Sequence, residues 1–226
     1  TFPRSYWLEH NTAHIEALVT AVEELDANTV PFFCLRLPDA RRGNPGMTQV
    51  LENLLRDDEG RCVVDTLVDV HGMSMTAGVP ANADAYPNLG VSVLHALTSY
   101  APRAAWQATA QGMGSMDVAT QAAQPEFDGA LITKLLATRE VDTVDDLTGA
   151  VVPRMVPVPG RAQAMAELAL SWARLARTPA GQRKVAIVFH HHPPRNDRIG
   201  CASGLDTFES VRQLLIRMGE EGYDVP

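Results

Sequence analysis

The chain has 226 residues, enough for one large domain or for one domain and part of a second. Its apolar share of 46% supplies a buried core and excludes a disordered composition. With 19 basic against 27 acidic side chains, the net charge of -8 excludes a general nucleic-acid binder, which needs a basic face to neutralise phosphates.

The first predicted helix covers residues 11–25, where Ile15, Leu18, Val19, Val22 and Leu25 recur on one face. Asn11 or Thr12 is placed to cap its first turn. Residues 30–37 are a continuous apolar run, as expected of a strand covered on both faces. A Gly/Pro loop at 41–46 leads into a second helix with Met47, Val50, Leu51, Leu54 and Leu55 on one side. Residues 62–70 are rich in β-branched side chains and read as the next strand. Residues 71–89 carry Gly, Pro, Asn and Asp throughout and read as a long loop. Strands are expected at 91–97 and 130–136, with short helical pieces at 102–109 and 115–123 between them. An irregular stretch runs to Pro159. Residues 161–177 form a helix with Met165, Leu168, Trp172 and Leu175 inward, and a break follows at 178–182. Residues 184–189 (KVAIVF) read as a short buried strand, followed by a polar loop to Gly204. The last helix starts at Asp206, which forms a capping-box-like pair with Glu209, and its apolar face is Phe208, Val211, Leu214, Leu215 and Met218.

Strands alternating with helices predict an α/β fold, with parallel sheets flanked by helices in a flavodoxin-like or Rossmann-like three-layer arrangement. The expected division is an α/β domain at 1–159, a connecting helix and linker at 160–182, and the start of a second α/β unit at 183–226. Thr1-Phe2-Pro3 runs directly into helical sequence and 222–225 reads as a helix exit into a strand, so the chain reads as an internal segment of a longer polypeptide. No apolar run reaches the length of a membrane span. Cys34, Cys62 and Cys201 form no Cys-x-x-Cys pair and read as incidental thiols of a reducing, cytoplasmic setting.

In such folds ligands sit at the carboxyl ends of the strands. That rule points to the loop before the first helix and to 71–89, 100–110 and 190–204. His190-His191-His192-Pro193-Pro194-Arg195 follows the apolar run 184–189. Imidazole is a divalent-metal ligand and a proton carrier near neutral pH, so these histidines are candidate metal ligands, and His190 and His192 a candidate base or transient ligand. The alternative is three polar loop residues satisfied by backbone carbonyls. His10, Asn11 and Thr12 stand at a helix start, which attracts anions, or form an ordinary cap beside surface histidines. Glu126 and Asp128 are either a carboxylate pair or a turn that sets up the following strand. The glycine-bearing loop 198–204 lacks both nucleotide-binding glycine patterns, and Ser115 lacks the Gly-x-Ser-x-Gly frame.

Residues 184–225, with the Pro-Pro loop, Gly200-x-Ala202-x-x-Leu205-Asp206 and a helix, resemble a segment of the cobaltochelatase and magnesium-chelatase large subunits. Asn11-Thr12-Ala13 is similar to that family's Gly-Asn-Thr-Ala turn, and residues 124–129 (QPEFDG) to its Leu-Pro-Glu-Phe/Leu-Asp-Gly. Trp106, Trp172 and the motif spacing fit as well, and the resemblance covers nearly the whole chain. Phe127 and Leu205-Asp206-Thr207 look more like the cobalt branch. His10 departs from the family pattern, which usually has Gly there, and the triple histidine is more extreme than usual.

The resemblance implies a piece of the tetrapyrrole-binding subunit, in a complex that inserts Co2+, as substrate, into hydrogenobyrinic acid a,c-diamide. It implies AAA+ ATPase partner subunits that use ATP and Mg2+, neither bound by this segment, and contacts with the rest of the same large subunit. Arg195 and Arg198 would suit the macrocycle's carboxylates. The family's His-Gly-x-x-Glu-x-x-Pro-Gly-Lys motif is not in residues 1–226 and is expected downstream, so the segment alone is expected not to chelate. Three other readings remain: a scaffold module without a ligand, a magnesium-chelatase H-type segment acting on protoporphyrin IX, and a small metal-binding protein built on the triple histidine.

Overall fold

The computed structural model describes residues 1–75, 85–190, 199–201 and 204–225. The chain divides into two compact units, Thr1–Ala173 and Arg174–Pro226.

The first unit opens with a short strand β1 (Phe2–Pro3), which turns directly into α1 (Arg4–Leu8) and then α2 (Ala13–Glu23). The apolar spacing at 15, 18, 19 and 22 does what it predicts: Ile15 and Leu18 are buried, with Val19 and Val22 packed beside them. The apolar run at 30–37 yields only β2 (Phe33–Cys34), which pairs in parallel with the two-residue β1 as Phe2 with Phe33 and Pro3 with Cys34, and an isolated bridge from Leu35 to Gly46. Helix α3 (Met47–Leu55) buries Met47, Leu51 and Leu55. Strand β3 (Thr66–Asp69) pairs in parallel with β4 (Ser92–Ser99), and α4 (Ala85–Leu89) lies between them in sequence. The segment after β4 is helical in pieces: α5 (Arg103–Ala108), α6 (Ser115–Asp117), a π-helical turn (Val118–Ala123) and α7 (Gln124–Phe127).

The main sheet has the order β3-β4-β5-β6. Strand β5 (Leu131–Val144) runs parallel to β4, and β6 (Val151–Pro157) returns antiparallel to it. The stretch read as irregular is therefore the outer half of a hairpin. Pro153 and Pro157 hid it, since proline suppresses a strand reading; β6 is an edge strand, where a missing N–H costs nothing. Helix α8 (Arg161–Arg177) packs Met165 and Ala169 against Phe2, Val70, Leu94 and Leu136, so its first turns belong to this unit's core.

Alternation along β3 and β4 sends Leu67 and Val93 to one face with Cys34, Met47, Leu51 and Tyr86, and Leu94 and Ala96 to the other with Ile15, Leu18 and Met165. The sheet is covered on both sides, and the α/β architecture with flanking helices is the one expected.

The second unit holds a short 3-10 turn (Ala180–Gln182) and α9 (Thr207–Glu220). Asp206 caps α9 by accepting from the Glu209 amide at 3.0 Å, but the Glu209 carboxylate turns to Arg212 and Gln213, so only half of the predicted capping box forms. The predicted strand at 184–189 does not form: these residues pair with no strand among the described residues, and Val185 and Val188 are exposed. A strand exists only where a neighbour accepts from its N–H groups and donates to its C=O groups, and an apolar sequence cannot supply that neighbour. Phe189 instead stacks on Phe208 of α9, with ring centroids 6.1 Å apart. Leu175, expected inward, is also exposed. Among the described residues no helix is long and apolar enough to cross a membrane.

Candidate functional site

The parallel strands bring their carboxyl ends to one edge, and polar residues collect there. Asp69, the last residue of β3, lies in register with His95 of β4, so their side chains share a face. His71 is two residues past Asp69 and returns to the same side. The Asp69 carboxylate meets His71 Nδ1 at 2.6 Å through Oδ1 and His95 Nδ1 at 3.3 Å through Oδ2. All three side chains are buried.

Burial alone would raise the Asp69 pKa, but the two imidazoles outweigh it and hold the carboxyl well below its ordinary range. Burial likewise pulls His71 down, and the Asp69 charge reverses this and lifts it to about 9. Asp69 and His71 thus form a buried ion pair near neutral pH. The pair extends to β2, where Cys34 Sγ lies 3.7 Å from His71 Nε2 and 3.3 Å from Met47 Sδ. The Tyr86 hydroxyl is near enough to Asp69 for that charge to act on it, yet makes no hydrogen bond of normal geometry; burial, then Asp69, keep it protonated far above its usual range.

The loop just beyond is locked in place. A Cβ on Gly72 would meet Gln121 Nε2 at 2.3 Å, so a side chain there would have to displace the Gln121 amide. Gln121 of the π-helical turn accepts from the amide and hydroxyl of Thr98, each at 3.1 Å. Asp117 accepts from the Ser99 hydroxyl and the Tyr100 amide in the same way.

The residues singled out in the sequence fall in different places. Asn11 is buried, and its Oδ1 accepts from the Met155 amide of β6 at 2.8 Å. His10 is exposed with φ 52°, and its carbonyl accepts from Arg154 at 3.0 Å. Thr12 donates to Glu16 at 2.5 Å and makes no side-chain cap. Glu126 is exposed, whereas Asp128 is buried and takes the Ser74 hydroxyl and the Met75 amide, both at 2.5 Å. Glu126 and Asp128 thus lie in different surroundings. His190 is exposed, with its carbonyl accepting from the Gly200 amide at 2.9 Å. His191, His192, Arg195 and Arg198 lie outside the described residues. Among the described residues, no group of three or more His, Cys, Asp and Glu side chains is arranged to hold a metal ion.

Sequence reasoning passed over Asp69, His71, His95 and Cys34. The Asp-x-His spacing at the end of an apolar strand was the available signal for the first two, since i and i+2 share a face. Nothing local pointed to His95 or Cys34.

The model of the CobN/magnesium chelatase family matches residues 1–226. The chain belongs to that family. An aerobic cobaltochelatase subunit CobN of Sinorhizobium sp is 28% identical over 225 residues, covering 99% of this chain and 17% of that protein. The H-type subunit of magnesium chelatase from Rhodobacter capsulatus is 28% identical over 240 residues, covering 98% and 19%. Among solved structures, a catalytic subunit of cobaltochelatase from Mycobacterium tuberculosis aligns with a TM-score of 0.74 at 29% identity, over 99% of this chain and 18% of that one. The chain thus spans less than a fifth of the length of each of these CobN/magnesium chelatase relatives. Within the family frame, Asn11 and Asp128 stand in the two upstream motifs, and both are spent on internal hydrogen bonds.

Proposed function

We propose that this chain is a segment of the tetrapyrrole-binding subunit of an ATP-dependent cobaltochelatase, which inserts Co2+ into hydrogenobyrinic acid a,c-diamide. The observation that carries this reading is the family match from the first residue to the last, together with likeness to cobaltochelatase subunits in both sequence and structure. Metal insertion removes two pyrrole N–H protons while the ion sheds water, so a base and a transient ligand are needed beside the macrocycle. His190 and His192 are our candidates for these roles, His191 for a further ligand, and Arg195 and Arg198 for the macrocycle's carboxylates. ATP and Mg2+ are assigned to AAA+ partner subunits, and the segment alone does not chelate. The likeness to the magnesium-chelatase relative keeps protoporphyrin IX and Mg2+ as the competing pair.

A second reading has its own support. Asn11 and Asp128 act as joints of the fold, which favours a scaffold role within the large subunit.

Titrating the chain with hydrogenobyrinic acid a,c-diamide, followed by tryptophan fluorescence, separates the two. Saturable quenching that His190→Ala and His192→Ala weaken tenfold or more is expected, with protoporphyrin IX binding less tightly. A flat response to both tetrapyrroles leaves the scaffold reading standing. Tighter binding of protoporphyrin IX assigns the segment to the magnesium branch.

A further inference from the structure

We propose that Cys34, Met47 and His71 form a binding site for a soft, low-coordinate transition-metal ion of the Cu(I) class, with Asp69 positioning His71. Three separate elements deliver the donors: Cys34 ends β2, Met47 opens α3, and His71 follows β3. The thiol sulfur stands 3.3 Å from the thioether and 3.7 Å from imidazole Nε2. With bonds of about 2.3 Å to sulfur and about 2.0 Å to nitrogen, an ion among them would see these pairs at roughly 90° and roughly 120°. Each of these two pairs is close enough to share one ion.

The donor chemistry selects the ion. Thiolate and thioether favour Cu(I), and among the described residues no carboxylate touches the two sulfurs to favour a hard cation. The hydroxyl of Thr1 lies 3.5 Å from Cys34 Sγ as a further polar neighbour. His71 is prepared as a ligand, because Asp69 holds Nδ1 and leaves Nε2 facing the sulfur, the carboxylate–imidazole arrangement common at metal centres. His, Cys, Asp and Glu by themselves make no metal group among the described residues, and the thioether is the third donor here. Tyr86, 3% exposed, packs in the same buried cluster as Cys34 and Met47, so the donors lie in an interior closed to bulk water. On binding, the ion replaces the Cys34 thiol proton and any proton on His71 Nε2, which leave to solvent.

The test uses the chain carrying Cys62→Ser and Cys201→Ser, so that Cys34 is its only thiol. It is titrated anaerobically with Cu(I) against bathocuproine disulfonate. One equivalent withdrawn from the chelator is expected, with two sulfurs and one nitrogen around copper by X-ray absorption. Met47→Leu, which keeps the apolar volume, should weaken binding about tenfold or more, as should Cys34→Ser, and Asp69→Asn by about 10–100-fold. Circular dichroism checks that each variant folds, and Met47→Leu decides if Cys34→Ser does not. Failure to withdraw copper, unchanged affinity in Met47→Leu, or binding lost in His190→Ala but kept in Cys34→Ser overturns the site. Co(II) held as tightly as Cu(I) by the same residues overturns the soft-ion assignment. No tetrapyrrole takes part, so the outcome is independent of the proposed chelatase role.

Discussion

His14 is fully buried on α2, edge-on to the Tyr6 ring at 4.8 Å, and neither ring nitrogen has a hydrogen-bond partner among the described residues. Desolvation by burial pulls its pKa from 6.5 to about 4. The folded state therefore refuses a proton that the unfolded chain accepts once the pH drops below 6.5. Stability is lost progressively between pH 6.5 and about 4, and the loss levels off below that, where both states are protonated. The total is on the order of 3 kcal/mol. Urea titrations at pH 7, 5.5 and 4.5 should show the midpoint falling across this window, and His14→Phe should flatten that part of the dependence. His10 carries a different strain. Its φ of 52° lies in the left-handed region, where a side chain crowds the following carbonyl. Glycine would meet no such penalty there.

At the scale of elements, the Asn11 side chain ties the corner between α1 and α2 to the edge strand β6. Asn11→Ala leaves a Met155 amide in the buried edge without its acceptor, which costs about 1–3 kcal/mol. A lowered urea midpoint together with faster amide exchange at Met155 is the expected pair of results; a loss of stability with Met155 still protected places the effect elsewhere. Asp128 ties α7 to residues 74 and 75 in the same manner. Asn11 and Asp128 thus hold elements to one another, and local sequence offered both that use and a ligand-binding one. Residues 137–157 show why the hairpin was missed: the prolines of β6 argue against a strand unless its edge position is known, and position in a sheet is a property of the assembled fold.

Across the whole molecule the two units differ in how they are held. Strand β4 is buried almost end to end, while α9 buries none of its residues, its predicted apolar face included. Opening free energy follows burial, so amide exchange in α9 should be faster than in β4 by several orders of magnitude. Hydrogen-exchange mass spectrometry on the intact chain measures this directly, and equal protection in the two segments contradicts it.

Local pattern carried a good part of this protein. Helical spacing marked α2, α3, α8 and α9, a β-branched run marked β3, and strand–helix alternation indicated the covered sheet. Short motifs at 11–13, 124–129 and 184–225 pointed to the chelatase family. These signals are legible because the periodicity of burial is written within a few residues of each position. The cluster of Cys34, Met47, Asp69, His71 and His95 was not legible. Its members come from β2, α3, the end of β3 and β4, and only parallel pairing of the strands and packing of α3 on the sheet carry them to one place. The same limit applies to residues 184–189, whose apolar sequence announces a strand but cannot supply the neighbour a strand requires. A sequence states what each segment prefers to bury; which distant side chains then face one another is decided by the tertiary structure, because that choice is made by contacts between elements and not within them.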